Sequence, residues 1–258
     1  MIRGLYTSGW GMMTLQQKMD VVANNMANVS TTGFKKDTLS LEAFPDVLAH
    51  RIYDHGDDPT TRQLGTMTLF NNLGEVKTNF SQGYFDDTGT TTDLAIDADA
   101  TAFFTVAVPQ TDGSVKQAYT RDGSFQLTAD GILVTKNGNP VLGENGLIRL
   151  SGSQFTVRAD GTVETTEAVV DRLMIRKVAN PETLRKTGSN LLEATAETQD
   201  GTFAGRVVQG RLEMSNVESV REMVDMISVL RAYEANQKMI QYQDATLDKA
   251  CNEIGRLR

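Results

Sequence analysis

A stretch of 44 residues, Arg211 to Ile254, contains no Gly or Pro and repeats apolar residues at helical spacing. As one helix it would rise ~1.5 Å per residue and reach roughly 60–65 Å. The body between the two ends, about 145 residues, should have a radius of gyration near ~15 Å. So small a body cannot cover such a helix. The helix must project, and its apolar stripe must pack on another helix. Its seam runs through Val220, Met223, Ile227, Leu230, Tyr233, Gln237, Ile240, Asp244, Leu247, Cys251 and Ile254. The steps alternate between three and four residues, except for two successive threes ending at Tyr233, a stammer that overwinds a coiled coil. Gln237 and Asp244 are polar seam positions of the kind that fix register at some cost in stability. Ser215-Asn216-Val217-Glu218 has the spacing of a capping box and predicts the helix start.

The other end carries a shorter seam. Met12, Leu15, Met19, Val22, Met26 and Val29 recur at steps of three and four, which is heptad spacing rather than a broad core-facing stripe. Gly33 fits the left-handed position after a helix, with Phe34 reaching back to Val29 as the hydrophobic partner of a Schellman cap. Gly9 and Gly11 each weaken the first turns by roughly 1 kcal/mol relative to Ala.

The middle differs in composition. All five prolines lie between Pro45 and Pro181. Asp112-Gly113, Asp122-Gly123, Asp130-Gly131, Asn137-Gly138, Asn145-Gly146 and Asp160-Gly161 are pairs that tolerate hairpin turns. Their close spacing predicts short antiparallel strands, at 103–108, 118–121, 132–135, 155–158 and 173–178, and turns around Gly201 and Gly205 lead through 206–209 back to the final helix. The expected fold is therefore mainly β with long terminal α-helices that pair as a coiled coil around a central antiparallel all-β domain. Residues 1–36 with 211–258 form the helical assembly domain, 37–82 an extended, irregular connector with one short helix at most, and 83–210 the β domain. A helix as short as the first is marginal alone in water, so the ends are expected to order as subunits polymerise.

Net charge is -8, and residues 1–36 carry a positive surplus, so the remainder is more acidic still. An acidic body argues against nucleic acid as a partner. No apolar run is long enough to span a bilayer. The first residues, Met1 to Gly9, lack the apolar core and cleavage site of a secretory signal, so passage out of the cytoplasm is expected by another route. One cysteine, Cys251, excludes an internal disulfide framework.

The segment Ala23-Asn24-Asn25-Met26-Ala27-Asn28-Val29-Ser30-Thr31-Thr32-Gly33-Phe34-Lys35 resembles the N-terminal signature of bacterial flagellar rod and hook proteins. Leu212-Glu213-Met214-Ser215-Asn216-Val217, continuing into Met226-Ile227 and Arg231 to Lys238, is similar to their C-terminal signature. Between them Asp93-Leu94-Ala95-Ile96, the pair Phe103-Phe104, Tyr119 to Phe125 and Gly131 to Thr135 resemble the family's core strands in order and separation. Where the family carries glycines before the paired phenylalanines, this chain has Asp97-Ala98-Asp99-Ala100-Thr101-Ala102.

The resemblance implies a structural subunit of the basal-body rod, polymerising with itself into a helical tube. That tube would carry torque from motor to hook, enclose the export channel, and cross the periplasm or cell wall. The implied partners are other copies, proximal rod and hook proteins, and the export apparatus, with no small-molecule substrate and no cofactor. The length favours the distal part of the rod; a proximal rod or hook position is the alternative. The expected assembly interface comprises Met12, Leu15, Met19, Val22, Met26 and Val29 with Val220, Met223, Ile227, Leu230, Tyr233, Gln237, Ile240 and Leu247. Asn24, Asn25 and Asn28 lie off the seam. They mark either a helix end unwinding before Gly33 or hydrogen bonds between subunits, and the resemblance favours the second.

Other chemistry finds little support. His50 and His55 with Asp54, Asp57 and Asp58 match no metal-ligand spacing and suit a solvated acidic loop. Asp97-Ala98-Asp99 begins like a calcium loop, but Ala102 and Val108 stand where Gly and Glu are required. Gly-rich phosphate loops and a serine nucleophile elbow are absent from the sequence. Cys251 and the Met-rich stripe read as packing residues. A wall-acting enzyme on a β scaffold, with a carboxylate pair such as Asp97 and Asp122, is the competing class, and an oligomeric adhesive or regulatory module a third.

Overall fold

The computed structural model describes residues 2–43, 47–51, 62–67, 71–110, 114–150, 152, 155–165 and 168–252. The turn expected at Asp112-Gly113, the acidic cluster from Asp54 to Asp58 and the last seam residue, Ile254, lie outside them. Two helices near the chain ends bracket a mostly antiparallel β region. The chain divides into two compact units, one of residues 1–26, 37–77 and 219–258, the other of residues 27–36 and 78–218.

The first unit contains helix α1 (Ile2–Ala27) and helix α2 (Ser219–Asn252). It also holds strands β1 (Asp37–Ala43), β2 (Val47–Arg51), β3 (Arg62–Met67) and β4 (Asn71–Thr78). Residues 37–82, expected as an irregular connector with a short helix, thus carry four strands. β1 pairs with β4 and β2 with β3. Val47 lies opposite Met67 and Ala49 opposite Gly65, while the Ser40 carbonyl sits against Gly74. The β2–β3 pairing is antiparallel and shifts register between Ala49 and His50.

Two expectations about helix ends are corrected. α1 stops at Ala27, and Asn28 to Ser30 form a turn. Gly33 does have positive φ, +67°, but not as a helix cap. An added Cβ there would stand 2.5 Å from the Arg121 and Asp122 backbone, so glycine is required by close approach. At the other end, the 44-residue helix is shortened. Arg211–Glu213 is a strand paired antiparallel with Phe85–Asp87. The Ser215 hydroxyl accepts a bond from the Val217 amide at 3.3 Å, which is a local turn rather than a capping box. α2 begins at Ser219 and, with 34 residues, is about 50 Å long.

The second unit is built on a six-stranded sheet. Its order is Arg185–Gly188, Leu191–Glu193, Val115–Thr120, Ala102–Pro109, Ile175–Val178 and Asp200–Gly201. Ala102–Pro109 is central and buried on both faces, which explains the paired phenylalanines. Successive strand residues point to opposite faces, so Phe104 enters one core with Leu94, Val106, Leu133 and Ile148. Phe103 enters the other with Phe80, Tyr119, Val178 and Leu192. Phe104 meets Phe125 edge-on at 5.2 Å, and Phe103 meets Phe80 at 5.8 Å. Such pairs add ~0.5–1.5 kcal/mol beyond the area they bury.

The turn signals at Asp130-Gly131, Asn137-Gly138 and Asp160-Gly161 coincide with positive-φ glycines between paired strands. Asp122-Gly123 does not close a hairpin. There Gly123 lets the backbone press onto the Leu94 carbonyl, while the Asp122 carboxylate accepts from the Ser124 amide and hydroxyl at 3.0 and 2.7 Å.

Candidate assembly face and buried ion-pair junction

Three contacts define how the helices of the first unit meet. Gly4 lies against the Gln243 amide and Gly11 against Asn236, and Asn25 Nδ2 donates to Glu222 Oε2 at 3.3 Å. Seven residues forward on α1 match seven back on α2 throughout, so the pairing is antiparallel and in heptad register. The shielded positions of α2 follow the same rhythm through Glu222, Met226, Val229, Tyr233, Asn236, Ile240, Gln243, Leu247 and Ala250.

This stripe coincides with the expected seam only at Tyr233, Ile240 and Leu247. Before Tyr233 the two diverge. Val229 is 3% exposed, whereas Val220 is 63%, Met223 46%, Ile227 51% and Leu230 40% exposed, with Val224 beside them. Gln237 is exposed as well. The apparent stammer is therefore the place where two separate stripes cross: one faces α1 and one faces outward. On α1, Val22 is buried, while Met12, Leu15, Met19 and Met26 are half-buried, as is Val29 in the turn that follows. Tyr6, Trp10 and Met13 are exposed.

The three asparagines separate too. Asn24 is exposed and Asn28 half-buried, its side-chain oxygen accepting from the Thr31 hydroxyl at 3.1 Å. Asn25 is buried. Its amide donates to the Asp37 carbonyl at 2.8 Å and accepts from the Asp37 amide at 3.0 Å. It thereby satisfies the backbone at the first residue of β1, a local role that neither sequence reading supplied.

In the second unit, the three family-like motifs converge. Glu213 Oε1 receives Lys35 Nζ at 2.5 Å and Glu213 Oε2 receives Arg121 Nε at 2.6 Å, with all three side chains at most 3% exposed. Arg121 also donates to the carbonyls of Asp99 at 2.8 Å, Ile96 at 2.9 Å and Ala102. Lys35 donates to the Ser81 carbonyl at 2.8 Å, and the Gly83 amide donates to Glu213 Oε1 at 3.0 Å. Burial holds the Lys35 ammonium below its ordinary pKa, an effect that the Glu213 carboxylate opposes and Arg121 reinforces.

Backbone bonds tie the same segments. Gly33 donates to the Glu213 carbonyl at 2.7 Å, Asn79 to Lys36 at 2.8 Å and Met214 to Tyr84 at 2.9 Å. Asn216 accepts from the Lys36 amide at 2.8 Å and donates to the Asn79 and Ser81 carbonyls at 2.9 and 3.1 Å. Sequence reasoning quoted Lys35, Arg121 and Glu213 without giving them roles. The available signal was charged residues of opposite sign inside the three motifs, Lys35 and Arg121 against Glu213.

The carboxylates weighed for calcium or catalysis are engaged elsewhere. Asp97 pairs with Arg206 at 2.5 Å. The hydrogen bond from Arg206 holds its carboxyl below the usual range, the Ala98 amide helping. Asp99 pairs with Lys177 at 3.0 Å, and Asp122 also accepts the Thr32 hydroxyl at 2.6 Å. Among the described residues, no group of three or more His, Cys, Asp or Glu could hold a metal ion. No helix there is long and apolar enough to cross a membrane. Cys251 is exposed.

Three family models match in chain order. Residues 5–35 match the flagella basal body rod protein model, 95–165 the flagellar hook protein FlgE/F/G D1 domain, and 208–253 the C-terminal model of the flagellar basal body rod FlgEFG proteins. The chain is 35% identical to the flagellar basal-body rod protein FlgG of Borreliella burgdorferi, over 98% of each chain. It is likewise 35% identical to FlgG of Bacillus subtilis, over 98% of this chain and 99% of that one. The flagellar basal-body rod protein FlgF of Caulobacter vibrioides is 35% identical across the whole of both chains.

Proposed function

The chain belongs to the flagellar basal-body rod protein family, and we propose that it occupies the distal part of the rod, polymerising with copies of itself into a helical tube. It is a structural subunit of the rod and not an enzyme. In the proposed tube α1 and α2 pair as an antiparallel coiled coil. The tube carries torque toward the hook and surrounds the channel through which later subunits pass. Export through that channel is part of the same reading. So are passage through periplasm or wall and contact with proximal rod and hook proteins.

The observation that carries the polymer is the outward stripe of α2. Val220, Met223, Val224, Ile227 and Leu230 are exposed together on one helix, while the other stripe already serves α1. Fully burying such side chains is worth roughly 1.5–3 kcal/mol each, so a copy that covers them is strongly favoured. Head-to-tail contacts between copies generate an open helical assembly. The interface proposed thus keeps Val220, Met223, Ile227 and Leu230. Tyr233, Ile240 and Leu247 serve the intramolecular pair. The position along the rod is tested by isolating basal bodies with tagged protein and locating the tag by electron microscopy. Label beside the hook supports a distal subunit, and label at the motor end overturns it.

A further inference from the structure

The buried cluster of the second unit joins three stretches far apart in sequence. Thr31–Lys36, Asn79–Tyr84 and Glu213–Asn216 are bound to one another by backbone and side-chain bonds at every pairwise boundary. At their centre lie two cations and one carboxylate, all almost fully enclosed. We propose that the cluster is a latch: these three segments join and leave the β unit together, and the Glu213 carboxylate is the part that closes it.

The charges give the reason. Enclosing Lys35 and Arg121 without Glu213 would leave two like charges in a low-dielectric site, where an uncompensated ion is costly. With Glu213 present, the guanidinium distributes its remaining donors over the carbonyls of Ile96, Asp99 and Ala102, next to the six-stranded sheet. Arg121 therefore belongs to the sheet side of the latch, while Lys35 and Glu213 belong to the joined segments. Each segment satisfies polar groups of the other two, so loosening one must loosen the others by the same free energy. By sequence the three lead into α1, β4 and α2. Release at the root of one element is thus release at the roots of all three.

Hydrogen exchange on the full chain tests this. In Glu213→Gln, the amides of Gly33, Asn79, Gly83 and Met214 should exchange at least ~100-fold faster, by a common factor, as loss of one member of a buried pair implies. Amides of Thr105, Ala107 and Tyr119 in the central strands should keep their protection. Acceleration confined to Met214, or equal acceleration of the central strands, would overturn the latch. Lys35→Met covers the case in which the first variant does not fold. It should speed the same four amides together by ~5-fold, and unequal factors there would reject the coupling.

Discussion

At the residue scale the account turns on partners left behind. Glu213→Gln strands two enclosed cations and should cost about 3–5 kcal/mol of stability, as breaking a buried pair does. Lys35→Met should cost only about 1 kcal/mol, because the Ser81 carbonyl keeps the Asn216 amide and Glu213 keeps Arg121. Denaturant midpoints of the two variants check that order. The pH dependence has a definite sign. Lys35 is held below its ordinary 10.5, so the folded chain binds this proton less tightly than the unfolded one. Its contribution to stability therefore rises as pH climbs from the depressed value toward 10.5. The stability of the natural chain relative to Lys35→Met should increase over that alkaline range. Ala98 offers a second test. It holds a φ of +66° where the family resemblance expected glycine, and left-handed backbone costs an L-residue about 1–2 kcal/mol. Ala98→Gly should raise stability by about 0.5–1 kcal/mol, read as a higher melting temperature.

At the element scale, legibility followed periodicity. Strands around Phe103–Val108 and Leu173–Val178 emerged from alternation and turn pairs, and the six-stranded sheet contains both. Helix ends were harder. Gly33 looked like a cap because its positive φ was readable, whereas the reason for it, the Arg121–Asp122 backbone alongside, is a tertiary fact. α2 was read too long because Arg211–Glu213 lacks Gly and Pro yet pairs with Phe85–Asp87. No composition rule marks the change from strand to helix there. The four strands of residues 37–78 were missed because their apolar alternation is weak and their partners are not close neighbours in sequence. The glycines of α1 give a graded prediction. A Cβ at Gly9 would meet nothing within 4 Å, and one at Gly11 would meet Asn236 Nδ2 at 3.1 Å. Gly9→Ala should therefore stabilise α1 by about 1 kcal/mol, and Gly11→Ala by less. Circular dichroism melts of the two variants check it.

At the scale of the whole molecule, the sequence reading expected the C-terminal helix to serve both α1 and neighbouring copies, but through a single seam. Superposing both stripes of α2 into one seam produced an apparent stammer at Leu230–Tyr233. The structure resolves it into an inward stripe through Val229 and an outward one through Ile227. The candidate site was legible in the same partial way. The three motifs were visible, and their convergence on Lys35, Arg121 and Glu213 required the fold. The central claim is that the outward stripe serves neighbouring copies and not the monomer. Its most direct test compares the paired substitution Ile227→Ser with Leu230→Ser against Val229→Ser, following both thermal unfolding of the monomer and tube formation by electron microscopy. The account predicts that the paired variant melts like the natural chain yet forms no tubes, while Val229→Ser lowers the melting temperature. Tubes of normal length from the paired variant would contradict it.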